Sequence, residues 1–179
     1  MMDWPALRLS LWLGLGTVVI LLPLALWLGR FLALRRFRGR GMVEAAVALP
    51  LVLPPTVLGF YLLNAFGAIP ANLREAGATS GMTSWAVFRR VELPLAWPGI
   101  ATAIVLTFAH TLGEFGVVLM VGGAIPGETR TAAIAIYDRV QAFDDAAAAS
   151  MSALLLVICL LALLLVQRLT RGIGRRRHD

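Results

Sequence analysis

Four stretches of this chain, 9–34, 42–66, 99–121 and 146–166, are long and almost free of charge. Each reaches or exceeds the roughly 20 apolar residues a helix needs to cross a bilayer. Pro23 and Arg30 interrupt the first, and Pro50, Pro54 and Pro55 the second. His110 and Glu114 lie inside the third, and the fourth is almost purely Ala, Leu, Val and Ile. Apolar residues make up 59% of the 179 positions even with glycine left out. A soluble domain of this size still exposes about a third of its chain surface, so it could not hide that much apolar side chain from water. The expected fold is therefore all-α: a polytopic bundle with about four spanning helices, one membrane domain over 1–179, and a polar loop at 67–98. The first stretch does not read as a signal peptide, because Asp3 opposes Arg8, the run is too long and no small-residue cleavage site follows.

All sixteen basic residues are arginine, and the formal charge is +6. They cluster beside apolar runs, the pattern of loops on the inner face of a membrane and not of a nucleic-acid surface. The lone Cys159 forms no disulfide within the chain, and no metal-ligand spacing is present, so no metal site is expected. The tail arginines Arg168, Arg171, Arg175, Arg176 and Arg177 place the C-terminus inside. Alternation then puts the acidic 122–145 loop outside and 67–98 inside. It also puts Arg35, Arg36, Arg38 and Arg40 outside, against the rule. The count is wrong by an odd number of crossings. Either 42–66 enters and returns, because Pro54–Pro55 breaks the helical ladder, or the architecture has one helix more than this chain.

The segment 75–94 carries the most specific pattern. It reads Glu75-Ala76-Gly77, three residues, Gly81, nine residues, Val91, one residue, Leu93-Pro94. This resembles the signature cytoplasmic loop of bacterial ABC importer permeases, with Gly77 in place of the second alanine, a weakening of helix propensity by about 1 kcal/mol. Taken as residues alone, Glu75 suits a helix N-terminus, Gly81 permits a sharp turn between two short helices, and Trp85, Phe88 and Val91 recur at helical spacing. That ridge, flanked by Arg89 and Arg90, is shaped to seat in a partner protein; the alternative is an amphipathic helix lying on the membrane.

Two further segments are similar to molybdate-type permeases: the run 49–59, containing Pro54, Pro55 and Gly59, and Gly113-Glu114-Phe115-Gly116 followed by Ile125-Pro126-Gly127-Glu128-Thr129-Arg130-Thr131. The resemblance implies a permease of the bacterial inner membrane, working as a homodimer with two cytoplasmic ATP-binding subunits and an external oxyanion-binding protein. Molybdate is taken over sulfate or tungstate. It also implies a core of five helices, of which the third is missing here, with the join near 62–67. ATP and magnesium belong to the partner subunit, since this chain has no phosphate-cradling glycine loop and no lysine. The chain is accordingly not expected to be an enzyme itself.

Pro54, Pro55 and Gly59 are candidates for a gate, with ordinary kinking as the equal alternative. His110 and Glu114, four apart, would share a helix face and suggest a proton-coupled carrier. The preferred reading is structural, with Gly113 and Gly116 allowing close helix contact. Arg130 is read either as meeting the anion or its binding protein, or as a solvated loop residue. A non-transporting fragment is the third alternative.

Overall fold

A computed structural model describes residues 2–35, 38–43 and 54–175. Pro50, Arg36, Arg176 and Arg177 lie outside that set, as does the 44–53 part of the second apolar stretch. All regular structure among the described residues is helical.

Helix α1 (Trp4–Leu34) begins where the Asp3 carboxylate accepts the Ala6 N–H at 3.1 Å, with Pro5 in the first turn where its missing N–H is no loss. Its 31 residues rise roughly 46 Å, more than the roughly 30 Å of hydrocarbon in a bilayer. Helix α2 (Pro54–Gly67) has 14 described residues, roughly 21 Å.

The two helices end together. Gly29, five residues before the end of α1, lies against Leu62, five before the end of α2, so close that a Cβ at 29 would sit 3.1 Å from the Leu62 backbone. The expected alternation therefore fails at 42–66. That stretch follows the end of α1 and finishes back beside it, which puts Arg35 at the same end of the bundle as Arg74.

Helix α3 (Ala71–Thr79) leads through a turn into α4 (Ser84–Val87), a π-helical turn (Phe88–Glu92) and α5 (Leu93–Gly113). The last three form one continuous helix of 30 residues. This corrects the expected 99–121 span, which starts earlier and ends sooner. It starts earlier because Pro94 and the π turn fit each other: Pro94 has no N–H to offer, and the Leu93 N–H reaches five residues back to the Phe88 carbonyl. It ends at Gly113 because Glu114 turns extended (ψ 123°), and a short helix, α6 (Gly116–Gly122), resumes in a new direction.

The acidic 122–145 loop also holds a helix, α7 (Ala132–Gln141), capped by Thr131 and burying Ala132, Ile134 and Ala135. Phe143, 90% exposed, takes a positive φ of 56° in the turn that leads into α8 (Asp145–Arg175). Helices α1, α2 and α5 pack mutually around Ala25, Leu58, Leu62, Phe66, Ile100 and Ala103. Small residues set these approaches: a Cβ at Gly99 would lie 2.5 Å from that of Ala65, and one at Gly14 2.9 Å from the Phe108 ring. By contrast, α8 buries Ala147, Ala148 and Met151 near its start and only half-buries a stripe through Leu154, Leu155, Ile158 and Cys159, leaving its other face open to lipid or another subunit.

Replacing Gly29 by Leu should cost about 1–3 kcal/mol, the usual penalty of overpacking. At Gly16, on the same helix, an added Cβ would meet nothing within 4 Å, so Leu should be accepted freely there. Denaturant unfolding of the two purified variants compares them; equal losses would contradict the α1–α2 contact.

Candidate functional site

The 75–94 segment folds as a helical hairpin. At the end of α3 the Gly81 N–H donates to the Ala78 carbonyl, the Met82 N–H donates to the Gly77 carbonyl at 3.1 Å, and Gly81 itself has φ +78°. This double closure satisfies the last carbonyls of α3 and requires the left-handed conformation glycine adopts cheaply. Thr83 then caps α4, its hydroxyl accepting the Ala86 N–H at 3.3 Å. Gly77, the departure from the signature, is buried, and a Cβ there would lie 3.1 Å from a Val87 methyl. A residue that weakens the helix is thus the one that lets α3 and α4 close on each other.

The expected ridge divides. Trp85 is 66% exposed, but Phe88 turns inward, stacking on Phe66 of α2 with centroids 6.3 Å apart, and Val91 is half-buried. The rings of Trp85 and Phe88 stay in contact, 5.3 Å between centroids, and the π turn that begins at Phe88 shifts the helical phase only of Val91 and the residues after it. Glu75, Ala76, Trp85, Arg89, Arg90 and Pro94 remain exposed, and Leu93 is half-buried.

Glu92, four residues after Phe88, is also interior, at 1% exposure, a residue that sequence pattern alone did not single out. Its Oε2 accepts from Arg30 Nε of α1 at 2.5 Å, and its Oε1 lies 3.2 Å from Arg74 Nε of α3. Arg74 Nη2 donates to the Phe66 carbonyl at the end of α2, and the Arg30 guanidinium stands 5.0 Å above the Phe88 ring. One carboxylate thus joins the hairpin to both neighbouring helices. The available signal was an acidic residue directly before the apolar run Leu93–Gly113, where an unpaired charge would be costly.

The other candidates lie at the opposite end or along α2. Gly59 is buried in α2; Pro54 and Pro55 begin that helix, and their side chains lie outside the described residues. His110 lies in the last turn of α5 and Glu114 is the residue that caps it, with a helical φ of −65° before the chain turns extended. A Cβ added at Gly113 or Gly116 would meet nothing within 4 Å among the described residues. Pro126, Gly127 (φ +82°) and Glu128 form an exposed turn closed by Thr129, whose hydroxyl accepts the Ile125 N–H at 2.9 Å. Arg130 is half-buried and ion-paired: Asp138 lies 2.9 Å and Asp3 3.4 Å from its guanidinium. Among the described residues no cluster of His, Cys, Asp or Glu is arranged to hold a metal.

Glu92→Gln leaves two arginines facing a neutral amide and should destabilise the fold by about 3 kcal/mol, as breaking a buried pair does. Glu75→Gln, on the exposed face, should change unfolding by less than about 0.5 kcal/mol. Parallel unfolding curves in detergent test the contrast.

The chain matches the family described as binding-protein-dependent transport system inner membrane component over residues 6–175. A molybdenum transport system permease protein of Azotobacter vinelandii is 39% identical over 224 positions, covering 96% of this chain and 97% of that one. One from Haemophilus influenzae is 30% identical over 78% of this chain and 81% of its own. A sulfate transport system permease protein of Escherichia coli is 29% identical over 79% and 67%. The first comparison spans 224 positions against 179 residues, so at least 45 of its positions have no residue of this chain opposite them. With its helical bundle and its signature hairpin, this chain belongs to the family of inner-membrane components of binding-protein-dependent transport systems.

Proposed function

We propose that this chain is the translocating subunit of an ATP-driven molybdate importer. It works as a homodimer with two cytoplasmic ATP-binding subunits, which hold ATP and magnesium and perform the hydrolysis, and with an external oxyanion-binding protein. The observation that carries the reading is the continuity of the 75–94 hairpin with a span. Trp85 and Gly113 lie on one helix of 30 residues, roughly 45 Å long. A push on the exposed face of the hairpin reaches the far end of that helix without crossing a loop. The Arg74–Glu92–Arg30 cluster carries the same push to α1.

Sidedness follows from charge. Arg30, Arg35, Arg74, Arg89 and Arg90 belong to one end of the bundle, and α8 runs from Asp145, beside α7, toward the same end. That end is cytoplasmic by the positive-inside rule, with the C-terminus inside. Molybdate is favoured over sulfate because the relatives named for molybdenum reach 39% and 30% identity. The pairing of Arg130 with Asp3 and Asp138 supports a structural role for it.

The unmatched positions favour one second reading. At least 45 unmatched positions are more than the roughly 20 residues one crossing needs, enough to remove a span. The chain is then a permease that docks its ATP-binding subunit yet transports poorly.

The ATP-binding subunit should copurify with this chain and be lost on deleting 75–94. Gly81→Val, which puts a β-branched residue at φ +78°, should weaken the association about tenfold or more. Retention by both variants would refute the docking role. Molybdate uptake by cells whose own permease is deleted, supplied with this chain and its partners, tests transport. Uptake supports the importer; docking with no uptake establishes the second reading.

A further inference from the structure

Where α1 meets α4, an open groove of about 320 Å³ runs between two exposed indoles, Trp27 and Trp85. Both walls are preformed: Trp27 stacks on Phe31 with centroids 5.7 Å apart, and Trp85 on Phe88 at 5.3 Å. Pro23, Leu26 and Phe88 make an apolar floor, and Arg30 and Ser84 supply the polar side. Arg30 donates to Glu92 through Nε and still leaves 30% of its side chain exposed.

Charge and shape together select an occupant. Two guanidinium groups share the single carboxylate of Glu92, so the cluster keeps one net positive charge, and exposed Arg89 and Arg90 stand close by in the chain. A free phosphate would satisfy Arg30 but not the floor. A neutral hydrocarbon would satisfy the floor but leave the surplus charge unanswered. Indoles flanking a basic residue at the end of a span mark headgroup depth. We infer that the groove holds one anionic phospholipid, its phosphate on Arg30 and Ser84 and the upper part of an acyl chain along Pro23, Leu26 and Phe88. Basic recesses between helices are suited to such headgroups. The inference rests on membrane insertion alone and is independent of the transport reading.

The test uses the full chain with Trp4, Trp12 and Trp97 changed to Phe, so that fluorescence reports Trp27 and Trp85. Purified protein in neutral-lipid nanodiscs is titrated with phosphatidylglycerol brominated on its acyl chains, or with brominated phosphatidylcholine. Quenching by the anionic lipid should reach half-saturation at about fivefold lower mole fraction, the effect of one surface arginine. Arg30→Gln should abolish that preference. Ser84→Tyr, an exposed position at the groove, should do the same with unchanged circular dichroism, which separates occupancy from misfolding. Equal quenching by the two lipids would reduce the groove to ordinary lipid contact and overturn the inference. So would displacement by soluble glycerol phosphate, or exclusion of the lipid when the ATP-binding subunit docks.

Discussion

The carboxylate of Glu92 is the point on which the Arg30 end of this molecule depends. Removing a charge from water is expensive, and it is repaid only by close opposite charge and hydrogen bonds. Here the repayment comes from two arginines on two different helices, with the Phe66 carbonyl taking one further donor and the Phe88 ring facing the other guanidinium. Because every partner sits on a separate element, the cluster fixes the relative placement of α1, α2, α3 and the start of the long helix. The remaining positive charge also conditions what can lie in the groove beside Arg30.

The π turn, Phe88–Glu92, carries this carboxylate at the join between the hairpin and the long helix. The turn also bridges the hairpin to a span that opens with Pro94 and contains Pro98, keeping the backbone bonded where proline withholds donors. A hairpin built as the first turns of a spanning helix is mechanically unlike one hung on a flexible loop. Displacement at Trp85 must be taken up by rotation of α5 or by a change in the π turn itself.

The opposite end is held by a complementary device. Asp3 caps α1 and also faces Arg130, which faces Asp138 on α7, while the Ser10 hydroxyl accepts the Ala132 N–H at 2.7 Å. Between the two ends, glycine and alanine set how closely α1, α2 and α5 approach. α8 joins with one face left open. A bundle bound by polar contacts at both ends and by small residues between them suits lipid, where apolar side chains gain nothing by leaving one another.

The amino-acid sequence by itself determined the membrane setting, the helical class, the family and the turn at Gly81, because each depends on hydropathy, local spacing or the conformational freedom of one residue. It also exposed a conflict, in the arginines of 35–40, between alternation and charge. Only the tertiary structure decided how the conflict resolves, since which end α2 reaches depends on its packing against Gly29 and not on its own composition. The same holds for Glu92 and Arg130: their charges were legible, but their partners lie between 8 and 127 residues away along the chain. The inward turn of Phe88 was likewise hidden, because the ring it stacks on, Phe66, lies 22 residues away on another helix.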